Sequence, residues 1–269
     1  MAHTAQHRTP ELTWWPIYAL LAVIAVAALL PASIVHGFDL VGYAVCHRIP
    51  ERSFFIAGAQ LPLCARDTGM FSAALLGVLS FIVVQPLRVN QFPARPYVFA
   101  LAGFFLAWAF DGVNSYLLLA RGEVFLYMPQ NWLRLLTGAL MGVTLASFVV
   151  PLFNSAVWRP DLSTAQPSVA SWRDVTRLVA VAGIVIAVVL WQPDFLYGPI
   201  AVISGLGVVF LLVVVNALLV VLLMRKEARI ERWSELTLPL IAGVFFTFTE
   251  IMLIVIARAA LTEALGLPF

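Results

Sequence analysis

The sequence predicts an all-α bundle that crosses a membrane about seven times, and three observations carry that prediction. Hydrophobic residues fill 62% of the 269 positions and charged residues only 11%, where a soluble domain carries about 25% charged residues. The mean hydropathy is +0.97. Apolar stretches near or above the roughly 20 residues needed to cross the hydrocarbon core recur along the whole chain.

The first stretch, Trp14 to Val35, follows His3, His7, Arg8 and Glu11. It is long for a signal-peptide core of roughly 7–15 residues and reads as an uncleaved first span. Thr68 to Pro86, Pro96 to Leu119 and Leu133 to Phe153 supply three more. Thr176 to Trp191 is the shortest, but Trp172 and Trp191 bracket it as interfacial aromatics do. Tyr197 to Met224 is long enough to tilt, and Thr237 to Arg258 closes the series. The ending Gly266-Leu267-Pro268-Phe269 has no lipid-anchor pattern.

Lys and Arg are commoner on the side bearing Arg8, Arg88, Arg95 and the Arg225–Arg232 loop than on the side bearing Arg48, Arg52, Arg66 and Arg121. The bias predicts a cytoplasmic N-terminus, an outside C-terminus, and an outside loop from His36 to Asp67 in a multi-pass protein of the cell membrane. Residues 1–154 then form a four-helix half, 155–175 a cytoplasmic linker, and 176–269 a three-helix extension. The net charge of +2 comes from scattered basic residues, which argues against nucleic acid as a partner. Membrane lipid is the expected surrounding, with other membrane subunits as a further class of partner. Two cysteines make neither a disulfide framework nor a four-cysteine zinc site. No P-loop, nucleophile elbow, flavin motif or HExxH occurs, so no standard cofactor is implied.

Polar groups inside a membrane are expensive, so each is a functional suspect with a structural alternative. Four clusters stand out: Cys46-His47-Arg48-Ile49-Pro50-Glu51-Arg52-Ser53, Cys64-Ala65-Arg66-Asp67-Thr68-Gly69, Asp111-Gly112-Val113-Asn114, and Asn131 to Gly138. Spans one and three leave the membrane where spans two and four enter it, so all four clusters fall at one end of the bundle. Asp111 and Asn114 share a helix face, as do Asn131, Arg134 and Gly138. Glu250 in the last span is expected at a comparable depth. One polar pocket in the outer leaflet is the predicted result.

These motifs resemble an uncharacterised membrane-protein family called domain of unknown function 2085. Its pattern is Cys-His-x-x-Pro-x-Arg-Ser, Cys-x-Arg-Cys-x-Gly, Asp-Gly on a membrane helix, then Asn-x-x-Arg-x-x-Thr-Gly. Cys46, His47, Pro50, Arg52, Ser53, Cys64, Arg66, Gly69, Asp111, Gly112, Asn131, Arg134, Thr137 and Gly138 match it, over about Leu40 to Asn154. The second cysteine of the second motif is Asp67 here. The resemblance implies a membrane protein and supplies no activity.

Cys46, His47, Cys64 and Asp67 are suitable ligand types for four-coordinate zinc, although adjacent side chains point apart unless the loop turns sharply. A Cys46–Cys64 disulfide is the preferred reading for an outside loop, ahead of metal binding or unpaired thiols. Arg52, Arg66 and Arg134 suit an anion clamp, because guanidinium reads phosphate and carboxylate bidentately. Asp111 is then a counter-ion, a metal ligand or a catalytic base, with an internally paired network as the structural alternative. Asn131 is an alternative helix cap, Thr137 and Asn114 complete the polar set, and Glu250 is a partner for Arg134 or Asn114, or a proton carrier. Three functions follow: a membrane enzyme on a lipid-linked or anionic substrate, a non-catalytic subunit or assembly factor, and a small-molecule transporter. No broken-helix pair supports the last.

Overall fold

The structure, a computed structural model, describes residues 15–30 and 35–265. Its helices are α1 (Trp15–Leu29), α2 (Phe38–Val45), α3 (Ala65–Val84), α4 (Arg95–Arg121), α5 (Asn131–Val157), α6 (Trp172–Trp191), α7 (Tyr197–Leu223) and α8 (Thr237–Leu265). Among the described residues, six helices are long and apolar enough to cross a membrane, where the sequence predicts seven spans. The difference lies at α1, which has 15 residues and reaches about 22 Å at 1.5 Å per residue. The ends of the predicted first span, Trp14 and residues 31–34, lie outside the described residues.

The other helices outrun their apolar cores for local reasons. Helix α6 starts early because Ser171 and Asp174 form a reciprocal capping box, each side chain bonding the other's backbone N–H. Helix α8 continues past Arg258 through Ala259 to Leu265, mostly good helix formers. Two short features escaped the span pattern: helix α2, and a hairpin of β1 (Phe55–Ile56) on β2 (Ala59–Gln60). At the far end of the bundle, β3 (Val89–Gln91) pairs in parallel with β4 (Thr164–Pro167). Asn154 anchors that end by donating to Leu87 O (3.1 Å) and Val89 O (2.8 Å) while accepting from Trp158 Nε1 (3.1 Å).

The centre of the bundle is the contact of α3 with α5. A Cβ on Gly138 would strike the Arg66 carbonyl, one on Gly142 the Met70 carbonyl, and one on Gly77 the Ala146 Cβ at 2.8 Å. Partners ascend together along both helices, so α3 and α5 run parallel, with the first turn of α3 against the second turn of α5. Small residues at such seams let backbones touch, the usual source of cohesion where lipid removes the hydrophobic drive. The main core joins this seam to α6 and α7 through Leu135, Val143, Leu178, Val185, Ile200 and Ala201. A second cluster of Val41, Cys46, Leu63, Cys64, Val208 and Ile251 lies under the loop entering α3. The parallel seam brings Arg66 and Arg134 to one height, and that positions the site.

Candidate functional site

The first motif is a loop held from several sides. Cys46 closes α2 in extended conformation, and Arg48 turns the chain at φ 51°, in the left-handed region that few non-glycine residues adopt. Arg48 is fixed by an ion pair to Asp39 (Nη2 to Oδ1, 2.8 Å). Gln60 Nε2 donates to Arg48 O and Ser53 Oγ, both at 2.9 Å. From α8, Arg258 donates to Tyr43 O (2.5 Å) and Cys46 O (2.7 Å), with its guanidinium 4.2 Å above the Tyr43 ring. The last helix therefore grips the segment that carries Cys46 and His47.

The expected divergence of adjacent side chains does not keep Cys46 and His47 apart. The ligand atoms of Cys46, His47 and Cys64 lie within 4.8 Å of one another. The expected disulfide is not formed: both cysteines are free and buried, and the Cys64 backbone N–H donates to Cys46 Sγ at 3.2 Å. The hydrogen bond to Cys46 and burial push the Cys64 thiol well above its usual range. Partial burial lowers the His47 imidazole below its ordinary value, with Arg52, Arg134 and Arg66 adding to the effect and Asp67 opposing it. Asp67, expected as a fourth ligand, does not join the group. It sits at the third position of α3 and acts on Cys64 and His47 through its charge.

The second centre is Asp111, 1% exposed. Arg66 Nη2 makes an ion pair with Oδ2 and also donates to Ser115 Oγ at 3.2 Å. Tyr127 Oη donates to Oδ1 at 2.7 Å. Thr137 Oγ1 is 3.4 Å from Oδ2, but its single proton has nearer acceptors in Leu133 O (3.0 Å) and Arg134 O (3.2 Å). Asn114 works on the loop beyond α4: it donates to Tyr127 O (3.0 Å) and accepts from Leu126 N–H (3.1 Å). It thereby folds residues 126–127 back over Asp111.

Arg52 and Arg134 complete the cluster. Arg52 Nη2 donates to Ser115 O at 3.2 Å. Arg134, 6% exposed, donates to Asn131 Oδ1 at 2.8 Å, and its buried Nε has no partner among the described residues. Asn131 in turn donates to Glu51 O and Ser53 O, both 3.2 Å, so it ties α5 to the first loop. It is not the helix cap: Gln130 occupies that position, with no side-chain bond. Among the described residues, Arg66 alone of Arg52, Arg66 and Arg134 has a carboxylate partner.

Glu250 lies elsewhere. It accepts from Asn216 Nδ2 at 2.9 Å, beside a 3.1 Å bond from Asn216 to Thr247 Oγ1, and forms a separate α7–α8 contact. Arg258, level with the first loop, is eight residues further along α8, about 12 Å at 1.5 Å per residue. The sequence reading missed Ser115, Tyr127 and Arg258. Ser115 was legible as the i+4 neighbour of Asp111. Tyr127 sits in an irregular loop, and Arg258 in a distant helix, where spacing carries no signal.

Tyr127 gives a pH prediction. Burial first, then its hydrogen bond to Asp111 and that residue's charge, push its phenol up to about 12. An acid whose folded pKa is raised stabilises fully below its unfolded value near 10 and loses that contribution as pH rises towards 12. Unfolding of the detergent-solubilised protein should show a modest alkaline loss across this window that is absent in Tyr127→Phe. Equal profiles would remove the bond to Asp111 from the account.

No solved structure gives a significant match to the chain. The uncharacterized protein MJ1492 of Methanocaldococcus jannaschii is 29% identical over 115 residues, which covers 43% of this chain and 67% of that protein. Residues 46–148, the segment that carries the whole cluster, match the family described as predicted membrane protein (DUF2085).

Proposed function

We propose that this membrane protein binds an anionic group, a phosphate or carboxylate of a lipid-linked or soluble ligand, between Arg52, Arg66 and Arg134. One observation carries the reading: Arg134 is buried beside two further guanidinium groups, and Asp111 is already committed to Arg66. An unneutralised buried cation is costly, and an oxyanion meeting the arginine fork offsets that cost. Asp111 serves this site as an anchor. Arg66 and Tyr127 each hold one of its oxygens, and it is 1% exposed, whereas a general base must reach the substrate. An enzyme acting here would use the arginines to stabilise developing negative charge.

The test uses purified protein, with orthophosphate and phosphatidylglycerol nanodiscs as separate probes. Arg134→Gln should weaken binding of the preferred probe at least about ten-fold, equivalent to about 1.4 kcal/mol. Equal affinity of wild type and variant for both probes, or no binding of either, would reject the site.

The second reading, a subunit of a larger membrane assembly, draws on α4 and α8. These are the spans least covered by the rest of the chain, with Phe99, Leu106, Phe110, Ile241, Phe245 and Leu253 on their exposed surfaces. In either reading, residues 1–154 carry the site and 176–269 brace it, chiefly through Arg258.

The Lys and Arg bias supports a location in the cell membrane with the site outside and the N-terminus and the 155–175 segment in the cytoplasm. Glu51 and Gln166 are exposed, whereas both native thiols are buried. A membrane-impermeant maleimide on intact cells should label Glu51→Cys and spare Gln166→Cys. The opposite pattern would invert the orientation.

A further inference from the structure

Two buried thiols and one accessible imidazole meet where the first loop enters α3, and the anion site does not use them. We infer that Cys46, His47 and Cys64 bind a thiophilic cation of the zinc(II) type, as three protein ligands with one coordination position left for an exogenous group.

The donor set is the first support. Two sulfurs and one imidazole nitrogen suit zinc, and hard cations that prefer oxygen ligands are disfavoured. The spacing is the second. Tetrahedral zinc, with bonds of about 2.3 Å to sulfur and 2.0–2.1 Å to nitrogen, holds its ligand atoms roughly 3.6–3.8 Å apart. Atoms within 4.8 Å of one another exceed that spacing by no more than about 1 Å.

The backbone is the third. His47 is followed directly by a left-handed turn at Arg48, a conformation costing on the order of 1 kcal/mol, from which the chain returns to Cys64. The structure holds that turn with Asp39, Gln60 and Arg258. Three side chains from three different elements thus hold the segment that carries Cys46 and His47, whose ligand atoms lie beside Cys64. Apolar packing alone asks for no such arrangement.

Charge is the fourth. Binding converts two thiols to thiolates, so one zinc ion enters as two protons leave and the net charge of the site is unchanged. A metal can then sit near Arg52, Arg66 and Arg134 without added repulsion. The His47 Nδ1 lone pair accepts from Ile49 N–H at 3.1 Å, a bond that coordination through Nδ1 would replace. Among the described residues the group has no fourth donor, which leaves the open position characteristic of a reactive zinc site. This inference stands apart from the anion reading and survives its failure.

The full-length protein, purified with a non-chelating reductant and incubated with zinc(II), should retain about one zinc per chain after gel filtration, measured by plasma mass spectrometry. Cys46→Ser, His47→Ala and Cys64→Ser should each lower zinc affinity about ten-fold or more, while Asp67→Asn keeps full occupancy. Should a serine variant not fold, the wild type loaded with cobalt(II) answers instead: thiolate-to-cobalt charge-transfer absorption supports the site, and its absence overturns it. Wild-type protein that retains no zinc also overturns it, whether the two thiols then alkylate freely or prove to be joined in a disulfide.

Discussion

Asp111→Asn is expected to cost the bundle about 3 kcal/mol, the lower end for breaking a buried ion pair, because Arg66 keeps 18% side-chain exposure. The substitution preserves volume and removes one charge. Arg52, Arg66 and Arg134 then face one another with no bonded carboxylate, and Tyr127 loses a charged acceptor for a neutral one. Denaturant unfolding in detergent micelles measures the loss. Asp161→Asn, in an exposed pair with Arg159, should change stability little and serves as the control. A double variant, Arg66→Gln with Asp111→Asn, should recover part of the loss, since a neutral pair replaces an orphaned charge. A loss in Asp111→Asn no larger than in Asp161→Asn would show that the carboxylate does not hold the arginines.

Gly138→Leu should be at least as damaging, by about 3 kcal/mol or by loss of the monodisperse species, beyond ordinary overpacking. A Cβ at this position already meets the Arg66 carbonyl, and backbone cannot rotate away as a side-chain tip can. Helix α3 must separate from α5, which draws Arg66 from Asp111 and Arg134 together. Gly103→Ala is the matched control, because a Cβ there meets nothing within 4 Å; it should be neutral or stabilise by up to about 1 kcal/mol through helix propensity. Size-exclusion profiles and thermal unfolding separate the two outcomes. A well-behaved Gly138→Leu protein of normal stability would contradict the parallel α3–α5 seam on which the site rests.

The features readable from the sequence were those that follow from period and topology. Apolar length marked the helices, and the alternation of entries and exits put the Cys46, Cys64, Asp111 and Asn131 motifs at one end. The 3.6-residue period aligned Asp111 with Asn114 and, had it been extended one step, with Ser115. Helix α2 was hidden because eight residues between two loops leave no span-length signal. Tyr127 was hidden because its position depends on how Asn114 folds back an irregular loop. Glu250 was misplaced because depth along a helix says nothing about which neighbour faces it: Asn216 on α7 does. The expected disulfide rested on compartment alone, whereas the structure leaves the thiols free and places the His47 imidazole beside them. Asp67 followed the ligand chemistry on paper, but its carboxylate is not among the ligand atoms that gather at Cys46, His47 and Cys64.

On the proposed reading, the arginine cluster of Arg52, Arg66 and Arg134 holds an anion. The most direct measurement is a density map of the purified protein in lipid nanodiscs, compared with the Arg134→Gln variant. Non-protein density should bridge Arg134 to Arg52 or Arg66 in the wild type and be lost in the variant, with Asp111 still bound to Arg66. An Arg134 guanidinium satisfied by an internal carboxylate such as Asp67, with no density between the arginines, would contradict it.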